Sequence, residues 1–280
     1  MPPILEPFQF EFFVKGLIAA TLAGGLCGLI GVYIVLRGMA YVGHGLSHAV
    51  FGGAVVSYVM SINFFVGASA WGFLSALLIS LTTRKRVIRA DAAIGIVTTA
   101  SFALGIAIIS AQRTFTRSFE AALIGDILGV ERGDLVALAA VSLGTVLLVV
   151  IGYKLILFTT FDPEVARFYG VPTAWVDTAF SLVLAGVIVV SMQVLGVTMI
   201  AAAVVIPPIV ARLITNKFSH MLLLSSAIGT FCGFFGIYIS YWVDVSSGAT
   251  IVLFAAALFV LALTWSSLWH KLPLPRTPQP

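Results

Sequence analysis

From Gly38 to Thr83 the chain runs for 46 residues without one Asp, Glu, Lys or Arg. Further charge-free runs cover Ala92 to Gln112, Leu135 to Tyr153, Thr178 to Ala211, Phe218 to Val243 and Val245 to His270. Only 9% of the residues are charged and 60% are hydrophobic, whereas a soluble domain carries roughly 25% charge. A soluble enzyme, a disordered regulator and a nucleic-acid binder are therefore excluded. A helix that crosses a bilayer takes about 20 apolar residues. The 46-residue run thus holds two spans, broken near Ser61, Ile62 and Asn63, and the Thr178 run holds two more, broken around Gln193 to Gly196. Because the runs are continuous, without the in-out alternation of a barrel strand, they imply helices.

The expected architecture is an all-α, polytopic transmembrane bundle of eight or nine spans, with nine placed at 12–36, 41–60, 64–82, 92–111, 135–157, 173–192, 195–214, 219–241 and 249–269. Nine spans put the termini on opposite sides. Arg37, Arg84, Lys85, Arg86, Arg89, Lys154, Arg167, Arg212, Lys217, Lys271 and Arg276 share one side, 11 of the 15 basic residues, and Lys15, Arg113, Arg117 and Arg132 take the other. The positive-inside rule makes the first side cytoplasmic, with the N-terminus outside and the C-terminus inside. The net charge of +4 then reflects topology, not a nucleic-acid partner. Trp242, Trp265 and Trp269 suit interfacial belts. The first residues, with Glu6 and Glu11 and no basic start, do not read as a cleavable signal peptide.

A single membrane domain over 1–280 is expected. Its longest polar connections, Gln112 to Asp134 outside and 158–172 inside, are too short to hold a core of their own. Cys27 and Cys232 lie far apart in apolar runs and form neither a disulfide framework nor a metal cluster. No GxxxxGK[ST] phosphate loop occurs, so any ATP hydrolysis belongs to another chain.

The expected second span carries two of the four histidines, in Gly43-His44-Gly45-Leu46-Ser47-His48-Ala49. Residues four apart lie on one helical face about 6 Å from each other, so both imidazoles can address one point. Neutral imidazole suits zinc and the later first-row metals, and polar groups at this depth mark ion or substrate routes. The alternative is a pair that only hydrogen-bonds to backbone or serine. Gly43, Gly45, Ser47, Ala49, Gly52 and Gly53 would let other helices pack closely. A zinc protease would need Glu after the first His, where Gly45 stands. Bis-histidine haem ligation needs rings on opposite faces of the iron, which one helix at this spacing does not supply.

On the expected cytoplasmic side, Asp162 followed by Pro163 and Glu164 reads as a helix start, and Gly170 before Pro172 as its stop. That two-turn helix could serve as a connector or dock in a partner's groove. Gly24 with Gly28, and Gly229 with Gly233, read as ordinary packing motifs. Pro207 and Pro208 are expected to interrupt the seventh span, where freed carbonyls could line a cavity, a packing kink being the simpler account. Glu120, Asp126, Glu131 and Asp134 could attract cations or meet an external partner but read first as solvated loop charge.

Taken in order, several motifs make the chain resemble the permease subunit of the zinc and manganese ABC importers, the ABC-3 family, from about Phe12 to Trp269. They are Leu36-Arg37-Gly38-Met39-Ala40, the His44 to His48 run, Ala92-Ala93-Ile94-Gly95-Ile96, Gly125-Asp126-Ile127-Leu128-Gly129-Val130, Phe161-Asp162-Pro163-Glu164, Gly196-Val197, and Pro207-Pro208-Ile209-Val210-Ala211-Arg212-Leu213. The resemblance implies a bacterial inner (plasma) membrane location and a second permease copy. It also implies two cytoplasmic ATPase subunits and an extracytoplasmic metal-binding protein. It implies, too, that no cofactor is held permanently and that Zn2+ or Mn2+ is cargo.

The resemblance further implies that Phe161, Asp162, Pro163, Glu164, Ala166 and Gly170 belong to a helix coupled to the ATPase. In the family's Gly-Asp-x-x-Ser-His pattern the Asp and His bind the ion. Here His48 matches the His, while His44 stands at the Asp position. A His pair shifts preference from manganese toward zinc or iron and makes loading weaken as pH falls through the imidazole titration. A gradient-driven secondary transporter is the competing class. It would need acids within the charge-free runs, and none is there.

Overall fold

The computed structural model describes residues 3–84, 90–112, 123–125, 127 and 129–269. Lys85, Arg86, Arg89, Arg113, Arg117, Glu120, Asp126, Leu128, His270, Lys271 and Arg276 lie outside the described residues. Each apolar run satisfies its backbone internally as an α-helix, and no strand occurs among the described residues. The helices are α1 Glu11–Leu36, α2 Ala40–Val59, α3 Phe64–Arg84, α4 Ala90–Gln112, α5 Arg132–Ile151, α6 Tyr153–Phe161, α7 Pro163–Phe168, α8 Thr173–Leu195, α9 Val197–Ile214, α10 Phe218–Val243 and α11 Ser247–Trp269. A short 3-10 turn, Pro3–Gln9, precedes them.

Among the described residues seven helices, α1, α3, α5 and α8 to α11, are long and apolar enough to cross a membrane. In α4 the apolar part is shorter, Ala92–Ile108. α2 is 20 residues long, but its histidines, serines and glycines lower its hydropathy, so it is not among the seven.

The expected breaks have local causes. Between α2 and α3 the chain turns through Ser61 at φ +53°, and between α8 and α9 through Gly196 at φ +74°. Gly196 also approaches the backbone of Ile124 and Gly125, where a Cβ would collide. Glycine alone meets both demands.

Two expectations need correction. The span expected at 135–157 is divided at Gly152, and helix continues as α6 through Thr159 and Thr160 to Phe161. Within the helix each of those hydroxyls donates back to the Ile156 carbonyl, at 3.1 and 2.6 Å, so neither is left unsatisfied. Pro207 and Pro208, expected to interrupt a span, lie inside the continuous α9. Pro208 has no N–H for the Val204 carbonyl, and Gly31 of α1 packs directly on that oxygen.

α1 is the central post, packed on α10, α9, α8 and α5, while α2 lies against α4, α3, α9 and α8. The two GxxxG motifs are each other's partners. Gly24 meets the Gly229 carbonyl, Gly28 meets that of Ser225, and Gly233 meets that of Ala20, an antiparallel register with no room for a Cβ. Ser225 and Ser226 then donate across to the carbonyls of Gly28 and Gly25 at 2.6 and 3.0 Å. Close backbone approach and interhelical hydrogen bonds hold helices together where the hydrophobic effect does not. Cys27 and Cys232 are buried free thiols.

Candidate functional site

Gly38, at φ +66°, turns the chain out of α1 and into α2. One turn into that helix, the rings of His44 and His48 meet edge to face with centroids 4.7 Å apart. The i, i+4 spacing therefore brings both imidazoles to one place. His44 is exposed on this chain, with the Tyr41 ring 6.0 Å away. His48 is half-buried against the edge of Phe102 from α4, at 4.9 Å.

The Nδ1 atom of His48 is shut off from solvent and has no hydrogen-bond partner among the described residues. Ser47, the nearest hydroxyl in sequence, donates instead to the His44 carbonyl at 2.7 Å. Buried polar atoms without partners are rare and costly in native proteins. What the pair offers to a ligand is its other, outward side, where His44 is exposed.

Small residues shape the surroundings. A Cβ on Gly45 would stand 2.6 Å from Ile94 Cγ2 and 2.9 Å from Thr98 Cγ2, so α4 reaches the histidine turn only because Gly45 lacks one. Gly53 gives the same access to Trp71 of α3. No group of three or more His, Cys, Asp or Glu gathers among the described residues. Among the described residues of one chain the site thus offers two imidazoles and no carboxylate.

Asp162 caps α7, its Oδ1 accepting from the Val165 amide at 2.9 Å, with Pro163 in the first turn. Gly170 ends the segment at φ +80°. Ala166 is fully buried, whereas Phe168 and Tyr169 are 86% and 72% exposed and Trp175 beyond them 75%. Phe161 and Glu164 also face outward. One small apolar residue anchors this helix, and a row of large aromatic ones is left uncovered.

Charge counting used Arg37 only to assign topology, yet the structure makes it a junction. Its side chain is 7% exposed and bonds Asp177 Oδ1 of α8 at 2.8 Å. It also donates to Thr160 Oγ1 at 3.0 Å and Thr159 Oγ1 at 3.2 Å, both on α6. The guanidinium carbon stands 4.6 Å over the Phe180 ring. Burial presses the guanidinium below its ordinary pKa, and the Asp177 carboxylate opposes this. Asp177 falls inside the span expected at 173–192, and an acid there demands a named partner. That was the available signal. Beside the junction is a cavity of about 450 Å³ lined by Arg37, Tyr41, Ile79, Thr160, Pro163 and Asp177.

The chain is 38% identical over 258 residues to the manganese transport system membrane protein MntC of Halalkalibacterium halodurans, covering 92% of this chain and 88% of that one. It is 34% identical over 265 residues to a Haemophilus influenzae protein named "Probable iron transport system membrane protein", covering 95% and 97%. Among solved structures, PsaBC from Streptococcus pneumoniae in complex with Fab superposes with a TM-score of 0.84 at 34% identity, over 93% of this chain and 94% of that one. Residues 9–266 match the model of the ABC 3 transport family, and the chain is a multi-pass membrane protein belonging to that family.

Proposed function

We propose that this chain is the membrane permease subunit of an ATP-binding-cassette importer that brings manganese or zinc into the cytoplasm, with His44 and His48 holding the ion in transit. The observation that carries the site is the pair of imidazoles on one face of α2, with ring centroids 4.7 Å apart. Two imidazoles leave most of a divalent ion's coordination open, which suits a site that must release what it binds. A second copy of the chain, offering the same exposed His44, would complete the shell. The manganese relative supports manganese as cargo, whereas imidazole in place of carboxylate favours zinc. Iron is the lesser alternative, supported by the Haemophilus relative.

In this reading α1 to α5 and α8 to α11 all cross the membrane, α6 continuing from α5, with the N-terminus outside and the C-terminus cytoplasmic. The segment from Phe161 to Gly170 then seats on one of two ATPase subunits, and an extracytoplasmic binding protein delivers the ion. The uncovered aromatic row on and after α7 supports that docking role. The test is uptake of labelled manganese and zinc by cells that depend on this chain. His44→Ala or His48→Ala at normal expression should reduce uptake to the level of cells lacking the chain. Wild-type uptake in both variants would refute the site.

A further inference from the structure

We infer that Arg37 is a positioning residue that transmits movement of the α7 segment to the histidine-bearing helix α2, an inference that rests on the transport reading above. A buried guanidinium is costly unless it is paired and hydrogen-bonded, and this one is held from two directions. Asp177 and Phe180 fix it to α8, while Thr159 and Thr160 fix it to the end of α6. Both sides of the junction are close in sequence to the parts that must communicate. Thr160 is two residues before Asp162, the cap of α7. Arg37 itself is two residues before Met39, the cap of α2.

Gly38 supplies the swivel between Arg37 and α2. Its φ is +66°, and a Cβ there would meet nothing within 4 Å, so the glycine is required by backbone conformation and not by crowding. The cavity of about 450 Å³ lies between Pro163 on the coupling side and Tyr41 on the histidine side. It leaves the start of α2 room to shift when α6 is displaced. A pull on α7 thus reaches Arg37 through two hydroxyls, turns about Gly38, and moves Tyr41 and His44 on the first turns of α2.

The experiment is the importer reconstituted in proteoliposomes, with ATP hydrolysis and accumulation of labelled manganese and of labelled zinc measured on the same vesicles. For Arg37→Gln, the complex assembles and basal hydrolysis stays at the wild-type level, while uptake per ATP falls about tenfold, a typical coupling between sites. Arg37→Lys, which keeps the charge toward Asp177 but not the fork, gives an intermediate ratio. The double variant Arg37→Gln/Thr160→Val is no worse than Arg37→Gln alone. Uptake and hydrolysis falling in proportion, or a ratio equal to wild type, overturns the inference. If Arg37→Gln does not assemble, Thr160→Val and Asp177→Asn carry the same measurement, and an unchanged ratio in both overturns it. A wild-type complex that accumulates neither manganese nor zinc overturns the transport reading itself, and the role of Arg37 with it.

Discussion

Gly24 on α1 and Gly229 on α10 touch backbone to backbone, each occupying the space where the other's Cβ would stand. A bulky residue at either position must push the two helices apart along the molecule's central post. Gly229→Leu should therefore destabilise the fold by about 1–3 kcal/mol, the usual cost of overpacking. Intrinsic tryptophan fluorescence during heating in detergent would read this as a lower unfolding midpoint. Gly95→Ala on α4, where a Cβ meets nothing, should leave the midpoint unchanged or slightly raised.

The α7 segment allows folding and docking to be separated. Asp162→Ala removes the side chain that accepts the Val165 amide, and losing such a cap costs about 1 kcal/mol. Phe168→Ala removes an 86% exposed ring and should leave stability untouched. Pull-down of the ATPase subunit by the purified permease should fall for Phe168→Ala at an unchanged unfolding midpoint. Equal binding by wild type and Phe168→Ala would place the docking surface elsewhere.

If His44 and His48 hold the ion as proposed, residue 44 sets the metal preference. His44→Asp supplies the carboxylate that the resemblance implies at this position, and hard oxygen ligands suit manganese better than imidazole does. In competition uptake, the manganese-to-zinc ratio should rise for His44→Asp relative to wild type. A ratio that stays constant would show that residue 44 does not ligate the ion.

Features set by neighbours in sequence were legible before the structure. Charge-free runs placed the long helices, Ser61 and Gly196 marked two breaks, and Asp162-Pro163 marked a helix start, because each signal acts within a few residues. The histidine pair was legible for the same reason, since i, i+4 spacing on a helix fixes ring proximity. Arg37 was not. Its partners Thr159, Thr160 and Asp177 are more than 120 residues away, and which surfaces meet is decided by packing.

The two GxxxG motifs read as packing sites, but only the fold shows that they pack on each other. The continuation to Phe161 was missed because the charge-free run that placed this span ends at Tyr153, before Lys154, while the helix runs on past it. The unbroken α9 was missed because the close approach of Gly31 to the Val204 carbonyl is a tertiary contact.

The most direct test of the account is ATP-driven accumulation of labelled manganese and zinc in proteoliposomes holding the complete importer, with wild-type and His48→Ala permease side by side. The account predicts accumulation by wild type and background counts for His48→Ala with both metals, at equal assembly with the ATPase subunits. Wild-type accumulation by an assembled His48→Ala complex would contradict it.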